Sequence, residues 1–392
     1  MIEGPKACGK TETARQVAAS EVLLDVDANA REAVSVDPSL VLAGDMPRLI
    51  DEWQVEPAVW NHVRRWVDDQ RGQFILTGSA VPADDATRHT GAARISRLRM
   101  RPMSLYETGH SAGRVSLAGL MSGVAAQVAD PGLALPDLIE AVSRGGWPGF
   151  LRLELPQARR AVRDYLDEVR RVDINNVDGV TRDPERVRRL FQSLARNVAT
   201  RAPITTLAAD AAEPGSTMTD NTARGYLAAL ARLMLIEDQP SWTPHLRSKA
   251  DLRTTPARHF VDPSLAVAAL GATPEQLLRD LNLFGLLFES LVVRDLRIYA
   301  QAFEGRVKQY RDNKGVEVDA VVETDDGRWA AFEIKLGQGR VQEAVESLSA
   351  FAARVDTVKS GAPSALGVII GSGYGYVRDD GIHVIPIGTL GP

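Results

Sequence analysis

The chain has 392 residues, 44% of them hydrophobic and 25% charged, with a formal net charge of −5. That length exceeds one ordinary domain, so two to four are expected, and the composition is that of a folded globular protein. The net charge does not advertise a chain built as a whole for nucleic acid, no run of about 18 apolar residues can cross a bilayer, and no basic-then-apolar leader opens the sequence. The one cysteine, Cys8, excludes an internal disulfide and suits a reducing cytoplasm, the expected location.

Chemistry appears at once. Gly4-Pro5-Lys6-Ala7-Cys8-Gly9-Lys10-Thr11 fits the phosphate-binding pattern G-x-x-x-x-G-K-[ST]. Gly4 and Gly9 let the backbone turn its N–H groups around a phosphate, and the helical run from Glu12 to Ala19 presents its positive end. Lys10 is expected to reach the outer phosphates of ATP, and the Thr11 hydroxyl to ligate Mg²⁺. Cys8 falls at a variable position of the loop, as filler rather than nucleophile. A strand should precede such a loop, but Met1 to Glu3 leave room only for a truncated one.

Val22 to Asp25 reads as a short buried strand. Arg48-Leu49-Ile50-Asp51-Glu52 reads as another, whose C-terminal edge delivers two carboxylates. In phosphate-loop enzymes the first, here Asp51, holds Mg²⁺ directly or through water, and the second, here Glu52, polarises the attacking water. Val59 to Asp69 has helical spacing. The strand Gln73 to Ser79 ends in hydroxyls, where Thr77 or Ser79 senses the terminal phosphate, positions water, or simply ends the strand in a turn. This alternation of strand and helix implies a parallel sheet.

The combination GPKACGKT, LIDEWQ and FILTGS, followed by Arg94-Ile95 and by Arg101 to Glu107, resembles the bacterial and archaeal AAA-like (AAA_14 type) ATPases that carry a C-terminal DUF4143 region. The resemblance implies that Arg94 belongs to a segment closing the nucleotide site and stabilises charge there, from its own subunit or a neighbour's. Relatives usually carry several tens of residues before the loop. Gly145-Gly146-Trp147-Pro148-Gly149 resembles the family's Gly-Gly-aromatic-Pro turn, and Tyr165 to Ile174 its bridging helix.

Arginines crowd Arg159 to Arg201. They form either a local basic face for phosphates or a solvated helix surface. From Pro184 to Asp262 the order is helix, helix, helix and two strands, which is that of a winged helix. The helix from Thr219 to Leu233, capped by Asp220 or Asn221, is its recognition helix. Thr222, Arg224 and Arg232 would meet a DNA major groove, unless the unit packs on protein instead.

Glu289 lies on a strongly apolar helix and needs a partner there. Asp319 follows on a hairpin strand. Glu333-Ile334-Lys335 places its two charged residues on one face of the next strand. Helix Glu, strand Asp and Glu-x-Lys resemble the PD-(D/E)XK phosphodiesterases. That resemblance implies Asp319 and Glu333 as ligands of one or two Mg²⁺ ions, Lys335 as the residue orienting water or stabilising the pentavalent state, and Glu289 completing the metal shell or holding Lys335.

The expected α/β architecture is a parallel-sheet phosphate-loop domain over 1–130, a helical bridge over 131–182, a winged helix over 183–262 and a restriction-endonuclease-like domain over 263–392. The expected function is ATP hydrolysis controlling a DNA-binding, nuclease-like C-terminal region. The alternative is a nucleotide-gated regulatory or protein-interaction ATPase whose nuclease-like domain is inactive. Neither a membrane partner nor an oligomeric state is indicated.

Overall fold

Five short strands form an all-parallel sheet at the N-terminus: β1 (Ile2–Glu3), β2 (Ser20–Leu23), β3 (Arg48–Asp51), β4 (Phe74–Gly78) and β5 (Leu98–Arg99), in the order β2-β3-β4-β1-β5. This computed structural model describes residues 1–79, 91–124, 133–213, 215–244, 255–312 and 314–392. The first strand is the two residues Ile2 and Glu3, paired in parallel with β4 on one side and β5 on the other. Two residues suffice to aim the phosphate loop because both neighbours fix their direction. The following helix, Lys10–Arg15, is shorter than its sequence spacing suggests. Helix Ala28–Val36 is capped by Asp27, whose side chain accepts from the Asn29 and Ala30 N–H groups, satisfying donors that a helix start leaves unpaired. Helix Val59–Asp68 buries Val59, Trp60 and Val63. Together with Leu24, Ile50, Trp53 and Leu76 they make a compact apolar core confined to this domain.

The rest of the described chain packs differently. One continuous core runs from Leu105 through Trp147, Leu190, Leu230 and Phe288 to Leu390. Leu105, Val115, Leu117, Leu120 and Met121, expected with the first domain, therefore pack with the C-terminal body. A parallel pairing of β6 (Val115–Ser116) with the last strand, Leu390–Gly391, fastens them there. The bridge comprises helices Leu135–Arg144 and Leu155–Glu168, a π-helical turn Val169–Asp173 and the short helix Ile174–Asn176.

Helices Pro184–Arg196, Ile204–Ala211 and Asp220–Arg232 follow, then the antiparallel pair β7 (Ile236–Gln239) and β8 (Ala257–Phe260). The third helix is capped by Thr219, one residue before the expected caps, its hydroxyl accepting from Thr222 N–H. The long helix Leu281–Gln301 is capped by Asp280. It packs on a six-stranded mixed sheet. There β9 (Arg306–Arg311), β10 (Glu317–Glu323) and β11 (Trp329–Lys335) run antiparallel to one another, β12 (Ala365–Ile370) and β14 (His383–Pro386) continue in parallel from β11, and β13 (Tyr376–Val377) closes the edge. Helix Val341–Ala352 covers the other face through Val345, Leu348 and Phe351. Among the described residues no helix is long and apolar enough to cross a membrane.

Candidate functional site

The phosphate loop and the carboxyl edge of the parallel sheet meet in a cleft of about 810 Å³. Gly9 enters the helix with φ of 99°, and Ala7 also has a positive φ of 62°. A Cβ on Gly4 would lie 2.6 Å from the Met100 carbonyl and 2.9 Å from Cys8 Sγ, so both glycines are required by the loop. Lys10 Nζ donates to the carbonyls of Gly4 and Pro5 at 3.1 and 2.9 Å. Thr11 Oγ1 donates to Asp51 Oδ1 at 2.9 Å, which puts two hard oxygens side by side as Mg²⁺ prefers.

Thr77 is fully buried, and its hydroxyl donates to Asp51 and accepts from Glu52 N–H. It orients the acid pair from behind and does not face the cleft. Ser79 does, donating to Glu52 Oε2 at 3.0 Å. Glu52 adopts left-handed backbone angles (φ 51°, ψ 47°), a conformation a non-glycine residue takes only where its surroundings enforce it. Gln54 Nε2 also donates to the Glu52 carboxylate, while Gln54 Oε1 is buried with no donor among the described residues. Burial pushes the Cys8 thiol pKa up, which suits the filler role given to it.

Arg94 departs from expectation. It pairs with Asp68 at 2.7 Å and does not line the cleft. The carboxylate at the end of helix Val59–Asp68 is its partner, so within one chain Arg94 does not complete the phosphate site. The cleft is closed instead by the bridge: Pro148, Asp173, Asn176, Val177 and, from the end of the third helix, Leu233. Lys6 Nζ donates to the buried Asp173 carboxylate at 2.6 Å. The π-helical turn that ends at Asp173 is a form concentrated at functional sites.

The basic stretch is mostly neutralised. Arg170 pairs with Asp167, Arg182 with Asp178, Arg188 and Arg189 with Glu185, and Arg201 with Glu317. Arg232, expected on DNA, donates to the Val177 carbonyl at 2.7 Å and lies 3.9 Å from Asp178. It ties the third helix to the bridge.

The C-terminal residues do converge. Lys335 Nζ lies 2.6 Å from Glu333 Oε2 and 3.2 Å from Asp319 Oδ2. Asp319 Oδ2 also accepts from Ile334 N–H at 2.8 Å, and Glu333 Oε1 from the Ser347 hydroxyl at 2.9 Å. Burial and the Asp319 charge push Glu333 up to about 7, against the pull of Lys335. The same two causes raise Glu289 well above the carboxylate range. Burial works against the Lys335 ammonium, but Asp319 and Glu333 outweigh it and raise its pKa.

The ammonium occupies the space between the two acids. Among the described residues no group of three or more His, Cys, Asp or Glu is assembled to hold a metal ion. The expected ligands Asp319 and Glu333 both pair with Lys335 in this arrangement. Behind it, Gln239 Nε2 donates to the carbonyls of Asp319 (2.9 Å) and Lys308 (3.1 Å) and leaves its Oε1 to His259 Nε2. That assignment makes His259 Nδ1 the acceptor for Ser290, the neighbour of Glu289. Burial holds His259 neutral, with a pKa of about 3.

A glycine-turned phosphate loop, an alkaline hook and an acid pair at the carboxyl edge of a parallel sheet are the parts of a P-loop nucleotide-binding domain. Comparison with known families agrees: residues 1–109 match the family described as "AAA domain" and residues 284–390 match "Domain of unknown function (DUF4143)", so the chain carries an AAA domain followed by a C-terminal DUF4143 region. Residues 135–276 match "Domain of unknown function (DUF8612)", which spans the bridge and the three-helix unit together. No curated protein and no solved structure matches the chain.

Proposed function

We propose that this chain is an ATPase whose nucleotide state controls a nucleic-acid-directed site in its C-terminal body. The observation that carries the first half is the meeting of Lys10, Thr11 and Glu52 at one cleft, with Asp51 Oδ1 just behind, 2.9 Å from Thr11 Oγ1. The triphosphate lies on the loop amides, and its outer oxygens replace the Gly4 and Pro5 carbonyls as acceptors for Lys10. Thr11 and Asp51 would hold Mg²⁺, which would supply neutralisation of phosphate charge. Glu52, steered by Ser79 and Gln54, takes the proton of the attacking water, and Gln54 Oε1 supplies a second acceptor for that water.

Two contacts support the control. Asp173, Asn176, Val177 and Leu233 wall the nucleotide cleft from the C-terminal body. In addition, Arg99 at the sheet edge and Arg101 beside it grip Glu237 of β7 at 3.0 Å each, and Arg297 of the long helix grips the same carboxylate at 2.9 Å. Glu289 sits eight residues earlier on that helix, about 12 Å away at the α-helical rise. Strand β5 is the direct neighbour of β1, so the phosphate loop's own sheet edge is linked through Glu237 to the helix that carries Glu289.

The test is phosphate release from ATP by wild type, Lys10→Ala and Glu52→Gln, with and without DNA. Turnover in the wild type alone supports the reading. Equal turnover in all three removes it. Phosphodiester cleavage is the second reading, favoured by the convergence of Glu289, Asp319, Glu333 and Lys335. Supercoiled plasmid left intact with Mg²⁺ or Mn²⁺, in both nucleotide states, reduces the C-terminal site to binding.

A further inference from the structure

Beside Asp319 opens a second cleft of about 380 Å³, whose walls come from two units that the sequence reading kept apart. Ala199 to Ala202, Gln239 and Ala257 supply one side, and Glu289, Gln309, Arg311, Glu317 and Asp319 the other. Three features of this cleft are left over by the carboxylate–lysine group. First, Arg201, from the loop after helix Pro184–Arg196, reaches across and donates to Gln309 Oε1 at 2.6 Å and to Glu317 Oε2 at 2.7 Å. Second, Gln309 is 5% exposed, and its Nε2, carrying two N–H groups, has no acceptor among the described residues. An unpaired buried donor costs about 1–3 kcal/mol, so Gln309 Nε2 is a donor free to be satisfied by a ligand in the cleft. Third, Glu317 stands between two guanidinium groups, Arg201 at 2.7 Å and Arg311 at 3.0 Å, and is itself 44% exposed.

An anion flanked by two arginines and a spare amide donor is the arrangement that binds a phosphodiester. From this we propose that Arg201, Gln309 and Arg311 form a binding site for a single nucleic-acid strand, and that the Glu317 carboxylate occupies the phosphate position until a strand displaces it. The proposal rests on the nucleic-acid reading of the C-terminal body given above. The cleft is near the lower end of ligand-cleft sizes of about 300–1,000 Å³. A cleft of that size admits a nucleotide or two of one strand rather than a duplex. Arg201 would hold the backbone by charge and by its two-pronged geometry. Gln309 Nε2 would donate to the same phosphate, and the strand would then lie along Asp319 and Glu289.

Fluorescence anisotropy with a 5′-labelled twelve-residue oligothymidylate and a hairpin duplex of equal length, in EDTA so that no cleavage intrudes, tests this. Wild type binds the strand at least tenfold more tightly than the duplex. Arg201→Gln loses about tenfold or more in strand affinity, the size of one charged hydrogen bond. Glu317→Gln, a change at a partly exposed residue that leaves the fold intact, tightens strand binding several-fold. Equal binding by wild type, Arg201→Gln and Glu317→Gln overturns the proposal while leaving the nucleic-acid reading standing, and so does a duplex bound as tightly as the strand. A wild type that binds neither probe overturns both.

Discussion

The two clefts are built on opposite plans. In the N-terminal one, the groups that meet phosphate come from a single eight-residue loop, and the two acids come from consecutive positions at the end of one strand. In the C-terminal one, Arg201, Glu289, Asp319, Glu333 and Lys335 come from a loop, a helix and two strands spread over 135 positions, and Lys335 arrives already paired with Asp319 and Glu333, and Arg201 with Glu317. In the first cleft, among the described residues, Lys10 is held only by the Gly4 and Pro5 carbonyls and Glu52 only by Gln54 and Ser79, neutral partners that a ligand can replace. The second satisfies its charges internally, so a ligand there must displace a carboxylate or an ammonium before it binds. A site made of neighbours in sequence can stay open because the backbone holds it. A site made of distant charged groups stays assembled through their mutual attraction, which is also what a ligand must break.

The sharpest way to separate the two is chemical. Glu52→Gln is expected to lower ATP turnover by about 10²–10⁴-fold while nucleotide binding survives, as loss of a general base does. Turnover and binding by stopped-flow and calorimetry check it, and unchanged turnover would take Glu52 out of the chemistry. The contact between the clefts is structural and large. Glu237→Ala strands Arg99, Arg101 and Arg297 without their shared carboxylate, and urea unfolding is expected to show a loss of about 3–5 kcal/mol. A loss under 1 kcal/mol would show that the arginine cluster does not join the two bodies.

Next in size come two opposite pH signatures. Burial raises the Glu237 carboxyl, but Arg101, Arg297 and Arg99 outweigh it and hold the group at about 2. Its stabilisation is therefore present above its unfolded value near 4.5 and is lost as pH falls toward 2. Glu333, raised to about 7, does the reverse. Its contribution is present below about 4.5 and is lost as pH rises through about 7, by up to about 3 kcal/mol. Denaturant midpoints of wild type and Glu333→Gln from pH 4 to 8 should converge at one end and separate at the other. Parallel curves would refute the assigned environment. The smallest effect is expected at the bridge. Asp173→Asn removes the Lys6 ion pair, which is half exposed on the lysine side. It should alter the KM for ATP by a few-fold and stability by at most about 1 kcal/mol.

The same contrast sets what could be read from the chain. The loop from Gly4 to Thr11 and the Asp51-Glu52 pair are local patterns, each carried by a few consecutive residues. The helix–helix–helix–hairpin order was legible too, because apolar spacing is local. Contacts that join distant positions left no such trace. Lys6 meets Asp173 across 167 positions, and neither residue type is unusual where it stands. Arg94 has the right surroundings in sequence for a phosphate contact, yet Asp68, at the end of the preceding helix, takes it. Leu105 to Met121 read as part of the first domain because they follow it without a break. The pairing of Val115 with Leu390 and the hydrogen bond from Leu105 N–H to the Asp295 carboxylate draw them into the other core. Gln54 was within reach, two residues past Glu52, but nothing in its spacing distinguishes a water-holding amide from a strand-end side chain.

Isothermal titration of Mg·ATP into the folded 392-residue chain, beside the same titration of Lys10→Ala, tests the account most directly. Saturable one-site binding by the wild type, lost in the variant, is the result expected from a loop that holds the triphosphate through Lys10. Absence of heat in the wild type, or equal binding by both proteins, would contradict it.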